Sequence, residues 1–599
     1  MSLSRRQFVQ LLGFAGMAGS LPGCFGDAFA KSHASVPEDY YEIPKFGNVS
    51  LLHITDTHAQ LKPIYFREPN VNLGLGDAFG KAPHLVGEAL LKHFNLGAPI
   101  DSHGYTYLDF INQSELFGKV GGFAHLATLV KRIRAARGEG NSLLLDGGDT
   151  WQGSATALWT RGKDMVQACN LLGVDIMTGH WEFTYLDYEV LDNIADFKGE
   201  FVAQNIRLTD EALFDYEYDS FDGFNEDSGH AFKPYTIRNV GGAKVAVIGQ
   251  AFPYTPIANP SRFMPYWSFG IRDLEMQEMV DQIRESDKPD LVVVLSHNGM
   301  DVDLKMASVV SGIDVILGGH THDGMPAPSV IQNSGGKTLV TNAGSNGKYL
   351  GVLDLDVRGG KLRDYRYRLL PIFSNLLPAD AEMDRLINRI RAPYEDKLGE
   401  RLAVAGDLLY RRGNFNGTFD QIICDAQRVV GEAQISLSPG FRWGTTVLPG
   451  QAITMEHIYD QTGTTYPETY VRDMSGEEIK LILEDVLDNL FNEDPFRQQG
   501  GDMVRVGGLD YSCHPAARFG KRITAMQLDD GTKIEATKKY RVAGWATVGA
   551  KSEGPPIWEV VADYLRDVKV AEVKKFNTPV LTGVKGNPGI ADYDGQIVS

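Results

Sequence analysis

Cysteine is scarce in this sequence, with four residues among 599. So few cysteines exclude a disulfide-stabilised scaffold. Beyond the N-terminus, no apolar run approaches the roughly 20 residues of a membrane span, so we expect no stable membrane insertion. The chain also lacks a C-x-x-C pair, a serine nucleophile elbow and a G-x-G-x-x-G turn after a strand. These absences remove the usual signatures of dithiol redox proteins, serine hydrolases and dinucleotide-binding enzymes.

Positively charged residues are also fewer than negatively charged ones. Lysine and arginine number 58 against 77 aspartate and glutamate residues, which gives a net charge of -19. A surface this acidic repels phosphate backbones, so we expect no nucleic-acid partner. A small anionic substrate would need a local positive site, such as a metal cluster or a few arginines.

The N-terminus has the pattern of an export signal. Arg5 and Arg6 precede a moderately apolar stretch, and a small-x-small cleavage site ends at Ala30. The arginine pair with Phe8 two positions later resembles a bacterial twin-arginine signal. We therefore expect residues 1–30 to be a signal peptide and the mature protein to be periplasmic.

Two alternatives to this signal stay open. Cys24 could mark a lipoprotein cleavage site, although Pro22 makes the match weak. An ordinary first helix is disfavoured because Gly13, Gly16 and Gly19 would weaken it. After cleavage three cysteines remain, and because three is odd, at least one thiol is expected to be free.

Short apolar runs recur along the first half of the chain, and many of them end in polar residues. They are Val49–Thr55, Ser142–Leu145, Lys244–Gly249, Leu291–Leu295 and Val315–Leu317. Each run predicts a buried strand. Helical patterns lie between them, at Gly122–Ala136 and Leu274–Glu285. Strands that alternate with helices predict an α/β layered domain, in which ligands collect at the carboxyl ends of strands.

The pattern divides the mature chain into two units. We expect a first domain over residues 31–377, with an inserted excursion at 60–120 that is rich in glycine and aromatic residues. Residues 378–400 are predicted to form a bridging helix that Pro393 interrupts. A second α/β domain is expected over residues 401–599.

Five segments place aspartate or histidine at or near strand ends. They are Asp56-Thr57-His58, Asp146-Gly147-Gly148-Asp149, Gly179-His180-Trp181-Glu182, Ser296-His297-Asn298-Gly299 and Gly318-Gly319-His320-Thr321-His322. Each alone is weak evidence, because a histidine in a turn is more often structural than a metal ligand. Together they hold five of the 14 histidines. Two neighbouring divalent ions need a bridging carboxylate, and neutral imidazoles complete their coordination, so the set predicts a dinuclear metal site.

The motif order D-x-H, G-D, G-[N/H]-x-E, S-H and G-H-x-H resembles the calcineurin-like metallophosphoesterases, within their 5′-nucleotidase branch. The resemblance covers about Val49 to Val357, and the second unit resembles the C-terminal domain of that branch. It implies a layered αββα metallophosphoesterase domain joined by the bridging helix to a 5′-nucleotidase-like C-terminal α/β domain.

The resemblance also implies a ligand set. One ion would be held by Asp56, His58 and His322, and the other by His180, His297 and His320, with Asp149 as the bridge. Asp146 is expected to be a turn or supporting residue rather than a ligand. The remaining histidines considered are interpreted as surface or core residues; they are His84, His93, His103, His125 and His457.

The third motif departs from the nucleotidase pattern G-N-H-E-F-D. Here Trp181 takes the place of the catalytic histidine, and Thr184 takes the place of the aspartate that orients it. Indole has no titratable proton to give to a leaving alkoxide. The phenylalanines that sandwich the nucleobase in the branch are also missing, since the corresponding regions hold Tyr466-Pro467 and Gly544-Trp545.

These departures, the insertion and the twin-arginine signal resemble the SoxB thiosulfohydrolase family of bacterial sulfur oxidation. That family uses a dimanganese centre to release sulfate from a cysteine S-thiosulfonate on a sulfur carrier protein, the SoxYZ heterodimer. The resemblance therefore implies two divalent ions, manganese rather than zinc or iron, and a carrier-protein partner. A periplasmic 5′-nucleotidase or phosphodiesterase and a non-catalytic metal-binding module are the alternative functions.

Two further residues are predicted to face the substrate. Arg442 would bind sulfonate oxygens, since guanidinium pairs well with tetrahedral oxyanions; the alternative is a surface or interdomain ion pair. Trp181 would shield the site from water and pack on the carrier arm; the alternative is an ordinary core indole. Phe441, Trp443 and Tyr466 are candidates for lining the channel.

Overall fold

The computed structural model describes residues 39–213, 228–549 and 552–599. The signal peptide predicted at 1–30, together with Cys24, lies outside the described residues. Within the described ranges, no helix combines the length and the apolarity that crossing a bilayer requires. Cys169, Cys424 and Cys513 are all buried free thiols.

The first domain contains two six-stranded sheets. In spatial order, the strands of the first sheet are Leu362–Pro371, Tyr349–Val357, Val49–Ile54, Ser142–Asp146, Ile176–Met177 and Glu200–Phe201. Those of the second are Ser329–Asn333, Gly336–Asn342, Val315–Gly318, Leu291–Ser296, Ala243–Gln250 and Tyr235–Val240. The last four strands of the first sheet are parallel, and so are the four central strands of the second.

The two sheets pack face to face because their strands carry apolar side chains on the inner face. Val49 and Leu51 of the first sheet share one core cluster with Val293 and Leu317 of the second. Helices cover the outer faces: Phe123–Arg137 packs on the first sheet, and Asp273–Ser286 and Met300–Val309 pack on the second. Further helices of this domain are Ala155–Thr160, Lys163–Leu172 and Asp187–Asp196. The predicted αββα layering is confirmed.

The five predicted strands and the two predicted helices are all present, each with ends within one residue of the expected ones. The first strand, for example, was expected at Val49–Thr55 and spans Val49–Ile54. Short apolar runs bounded by glycine or aspartate leave little freedom in where such strands begin and end.

The excursion at 60–120 is folded against both domains. It contains the helices Gly87–Phe94, Pro99–Tyr105 and Phe110–Phe117. His84 Nε2 lies 2.9 Å from Asp301 Oδ2, and the Asn72 amide donates to Asp323 Oδ1 at 2.9 Å. Because Asp323 follows His322 directly, the excursion supports one of the predicted metal loops. Its backbone also reaches the second domain, where the N–H of Leu73 donates to the Asn414 side chain.

The bridging segment consists of the helix Ala381–Arg391, a 3-10 turn at Ala392–Tyr394 and the short helix Glu395–Leu398. The turn contains Pro393, as expected for a residue that removes a helical hydrogen bond.

The second domain is also α/β. Its three sheets, in spatial order, are Thr469–Ser475, Lys539–Trp545, Ile435–Ser438 and Arg505–Gly507; Ile523–Leu528, Leu509–Cys513, Val580–Thr582 and Ile597–Val598; and Ala452–Thr454, Arg401–Ala405 and Val570–Ala571. Its helices are Thr418–Val430, Met455–Thr462, Gly476–Phe491 and Ile557–Val568. One apolar cluster runs from the helical layer of the first domain through Leu386 into Ile422 and Leu565 of the second. The two domains therefore share buried apolar surface.

Candidate metal centre

All seven predicted ligands lie just beyond the carboxyl ends of five strands. Asp56 and His58 follow the first strand, Asp149 follows the second and His180 the third, all in one sheet; His297, His320 and His322 follow two adjacent strands of the other sheet. Neighbouring strands within each of these sets run parallel, so their carboxyl ends meet at one edge. The sandwich brings the two edges together.

The ligands form two buried groups that share one residue. The first group is Asp149, His180, His297 and His320, and the second is Asp56, His58, Asp149 and His322. In each group, one potential ligand atom per residue lies within 4.8 Å of all the others. The structure thus divides the seven residues as the resemblance implied, with Asp149 in both groups.

Individual distances show how closely these atoms converge. His58 Nε2 lies 3.1 Å from His322 Nε2, which is itself 3.1 Å from Asp56 Oδ1. The Asp149 carboxylate lies between two imidazoles, since Oδ2 is 3.1 Å from His297 Nε2 and Oδ1 is 3.2 Å from His180 Nδ1. Nitrogen and oxygen atoms that point at one another at this spacing suit two cations held between them.

The electrostatics of the pocket also fit cations. Asp56 and Asp149 are fully buried, and buried carboxylates need compensating positive charge. Burial alone would lower the pKa of His297, but the carboxylates of Asp149 and Asp56 raise it to about 10. The two carboxylates therefore favour a positive charge at this position, which divalent ions would supply. His180 Nε2 has no hydrogen-bond partner among the described residues.

Five of the seven ligands have left-handed backbone conformations. They are Asp56 (φ 50°), His58 (φ 45°), Asp149 (φ 59°), His320 (φ 70°) and His322 (φ 59°). Residues with a Cβ adopt this region at a cost, and such strain concentrates at functional sites. The loops therefore hold a conformation that packing and hydrogen bonds must maintain.

Glu182 is the main support of two of these loops. Its Oε1 accepts backbone N–H groups of Thr150 at 2.7 Å and Trp151 at 3.2 Å, and its Oε2 accepts those of His180 at 2.8 Å and Asp149 at 3.1 Å. One fully buried carboxylate thus fixes the backbone at the shared ligand and at His180.

The other loops have their own supports. His297 Nδ1 lies 2.6 Å from the carbonyl oxygen of Gly147, which leaves Nε2 free to ligate. Asp56 accepts the Thr55 hydroxyl at 2.6 Å and the backbone N–H of His320 at 3.0 Å. Asp146 accepts the N–H of Gly148 and the Thr150 hydroxyl and is absent from both ligand groups, so its place is that of a supporting residue.

Trp181 is buried and faces the second domain. Its backbone N–H donates to Asp149 Oδ1 at 2.7 Å, and its ring meets those of Trp443 at 4.8 Å and Phe441 at 5.3 Å. Phe441 stacks on Trp443 at 4.0 Å, with an interplanar angle of 18°. The three rings lie beside the ligands, since Trp443 meets the His58 ring at 5.6 Å and Trp181 meets the His180 ring at 5.4 Å.

Arg442 reaches the predicted metal loop from the second domain. Its Nη1 donates to the carbonyl oxygen of His320 at 3.2 Å, and its Nε lies 3.5 Å from Asp502 Oδ1. Arg412 takes a parallel position, with Nη1 3.6 Å from Asp502 Oδ2 and Nη2 3.4 Å from the Thr321 carbonyl oxygen. Arg442 and Asp502 both belong to the second domain, so their ion pair lies within that domain. Arg442 crosses the domain boundary through its hydrogen bond to His320.

Sequence reasoning missed several residues of this site. Glu182 lies within the third motif, but the sequence predicted no role for it. The adjacent arginines Arg411 and Arg412 were a sequence signal for a positively charged contribution from the second domain. Gly500 and Asp502 carry no local motif. An ideal Cβ on Gly500 would lie 1.9 Å from His320 Nε2, so the backbone of the second domain packs directly on a predicted ligand.

Comparisons with known proteins agree with this architecture. The family described as 5′-nucleotidase, C-terminal domain, matches residues 408–561. The structure of a sulfate thiohydrolase SoxB from Thermus thermophilus, in complex with glycerol, is 36% identical and superposes with a TM-score of 0.82, over 91% of this chain and 98% of that one. The chain belongs to the 5′-nucleotidase branch of the metallophosphoesterases. It is a hydrolase-family fold with a candidate site for two metal ions.

Other members of the branch are more distant. A 5′-nucleotidase precursor from Thermus thermophilus shares the fold, with 23% identity and a TM-score of 0.68, over 89% of this chain and 99% of that one. The trifunctional nucleotide phosphoesterase protein YfkN of Bacillus subtilis is 27% identical over 77% of this chain and 34% of its own length. The snake venom 5′-nucleotidase of Naja atra is 31% identical over 39% of this chain and 44% of its own length. The chain thus spans less than half the length of these two curated relatives.

Proposed function

We propose that this metallophosphoesterase-branch protein is a dinuclear metal-dependent thiosulfohydrolase. It would cleave the terminal sulfonate from a cysteine S-thiosulfonate on a sulfur carrier protein and release sulfate. The similarity to the SoxB structure supports the proposal, since it extends over nearly the whole of both chains. The observation that carries it is the chemistry of residues 181–184 beside the ligands.

That turn offers no free group for acid catalysis, because its one titratable side chain, Glu182, accepts four backbone N–H groups. Trp181 stands at the position of the nucleotidase histidine and packs against Trp443, while Thr184 bonds to Thr465 rather than to an imidazole. An alkoxide leaving group needs a proton in the transition state, whereas a persulfide is a much better leaving group. The turn therefore favours a substrate that needs no general acid.

The overall reaction balances as a hydrolysis. The S–S bond between the persulfide sulfur and the sulfonate breaks, and a new S–O bond forms with oxygen from water. The electron pair of the broken bond leaves with the persulfide, and the products are the carrier persulfide anion, sulfate and two protons. No oxidant or reductant is consumed.

The seven ligands would hold the ions, with Asp56, His58 and His322 at one, His180, His297 and His320 at the other, and Asp149 at both. Two bound divalent ions would supply Lewis-acid activation of water and of the sulfonate. Manganese is proposed for them on the likeness to the SoxB family, because the donor set also suits zinc and iron.

The residues of the chain would position the substrate. Arg442 would orient the sulfonate, because its guanidinium is anchored by Asp502 and by the carbonyl oxygen of His320. Trp181 and Trp443 would exclude bulk water, being only 5% and 1% exposed. We also propose that the protein is periplasmic and that its carrier partner is a heterodimer of the SoxYZ type.

The test uses purified, metal-loaded protein and a carrier protein whose arm cysteine bears a thiosulfonate. Release of sulfate that chelation abolishes and manganese restores is the expected result. His320→Ala is the matched loss-of-ligand variant and should release no sulfate. Rapid hydrolysis of AMP or of a generic phosphodiester, without action on the thiosulfonate, would refute the proposal in favour of a nucleotidase or phosphodiesterase. A metal content below two ions per chain would favour the non-catalytic module.

A further inference from the structure

The turn Trp181–Thr184 joins the two domains at the edge of the metal centre. It begins directly after His180, and its first and last residues both contact the second domain. Trp181 meets the rings of Trp443 and Phe441, and it also stacks on Tyr466 at 6.4 Å with an interplanar angle of 15°. We call these four aromatic residues the rim.

Polar contacts reinforce the same junction. The Thr184 and Thr465 hydroxyl oxygens lie 2.7 Å apart, and the Thr465 hydroxyl also donates to the carbonyl oxygen of Thr184 at 2.9 Å. On the far side of the rim, the Tyr466 hydroxyl donates to the carbonyl oxygen of Ala258 in the first domain. Aromatic packing and hydrogen bonds thus close one boundary between the domains.

The closed rim hides the metal centre. None of the seven ligands is more than 7% exposed, and Tyr466 is 2% exposed. A substrate with a broad, rigid ring system would have to displace rim side chains to reach the ligands across this boundary. An extended chain of small residues needs only a narrow passage.

The same turn is tied to the ligands. The backbone N–H of Trp181, in this turn, donates to the Asp149 carboxylate. The carboxylate of Glu182, also in this turn, accepts the backbone N–H groups of His180 and Asp149. Opening the rim would therefore pull on both residues. Domain contact and ligand geometry are coupled through a turn of four residues.

We propose that Trp181 and Thr184 clamp the two domains together over the metal centre and thereby select substrates by width. The clamp admits a slender chain that ends in a sulfonate and rejects bulky esters. The substrate class named here rests on the proposed function, whereas the clamp itself is a statement about domain contact. The two can fail separately, and the experiment keeps them apart.

The clamp is tested by hydrogen–deuterium exchange on the full chain, without substrate. In Trp181→Ala, peptides that cover 439–446 and 463–468 of the second domain should exchange at least tenfold faster than in the wild type. Thr184→Val, which keeps the side-chain shape and removes one hydroxyl, should raise exchange two- to fivefold in 463–468. Trp159→Ala is the matched control, because Trp159 also crosses the domain boundary, onto Tyr459 at 5.0 Å, but outside the rim.

Width selection is tested separately with metal-loaded protein. The rate of p-nitrophenyl phosphate hydrolysis, divided by that of a thiosulfonated peptide of small residues, should rise at least tenfold in Trp181→Ala and stay unchanged in Trp159→Ala. Unaltered exchange at the rim in both Trp181→Ala and Thr184→Val, or equal changes in Trp159→Ala, would overturn the clamp. Faster exchange in a protein that never cleaves thiosulfonates would uphold the clamp and refute only the proposed function.

Discussion

Glu182→Gln offers the sharpest test of how the ligand loops are held. The carboxylate accepts four backbone N–H groups, two on each oxygen. Glutamine replaces one oxygen with an NH2 group, which cannot accept, so two buried donors lose their partner. Each loss costs about 1–3 kcal/mol, because a buried donor left unpaired keeps its full desolvation penalty. The substitution should therefore destabilise the first domain by about 2–6 kcal/mol.

The loss should also reach the metal ions. Supporting residues of this kind change metal affinity by about 10- to 100-fold, and Glu182 supports both Asp149 and His180. We expect the dissociation constant of at least one ion to rise by that factor, measured by competition with a chelator of known affinity. Calorimetric unfolding of the same samples gives the stability change.

Glu484→Gln is the matched control. Glu484 is equally buried, and it accepts the backbone N–H groups of Gly520, Arg522 and Ile523 in the second domain. Its replacement should lower stability by a similar amount and leave metal affinity unchanged. The assigned role of Glu182 would be wrong if Glu182→Gln bound metal with wild-type affinity. It would also be wrong if Glu484→Gln lost as much metal affinity as Glu182→Gln.

Two further predictions concern the site, and a third concerns Asp460, a buried residue of the helix Met455–Thr462 whose carboxylate accepts the Thr445 hydroxyl. Asp149→Asn should abolish stoichiometric binding of both ions, since Asp149 belongs to both ligand groups; retention of one tight ion by metal analysis would contradict this. Gly500→Ala should weaken metal binding because its Cβ collides with His320, whereas Gly501→Ala, with the same φ of 77° but no atom within 3.9 Å of its Cβ, should not. Burial raises the pKa of Asp460 to about 8, so the folded state binds the extra proton and stability falls as pH rises from about 4 to about 8. Asp460→Asn should therefore raise the melting temperature at pH 8 but not at pH 4, and equal shifts at both would contradict the assignment.

The positions of six of the seven candidate ligands could be predicted from the sequence because each follows a predicted apolar strand within a few residues. The strand before His180, Ile176–Met177, has only two residues and was not predicted. His297 comes directly after Leu291–Ser296, and in parallel strands that location fixes the sheet edge. The pairing of the seven residues into two groups came from the resemblance rather than from spacing. No local sequence pattern indicates which strand ends face each other across the two packed sheets.

The contribution of the second domain could not be predicted in this way. Asp502 and Gly500 lie far from the ligands in the chain and reach them only because the domains pack together. Their roles depend on distances between elements of different domains, such as the 1.9 Å between an ideal Cβ on Gly500 and His320 Nε2. Trp181 likewise gave no hint in the sequence of which rings it would meet.

The charge balance explains how so acidic a chain could attract an anion. Arg412 and Arg442 lie beside the ligands, but both also lie against Asp502 and face Asp323, so these acidic groups offset their positive charge. Two divalent ions would add four positive charges. The carboxylates of Asp56 and Asp149 contribute two negative charges, so a net charge of plus two remains. Most of the local positive charge in a protein of net charge -19 would thus come from the metal. Loading the ions is therefore expected to govern substrate binding as well as catalysis, and the strained loops that hold the ligands serve both.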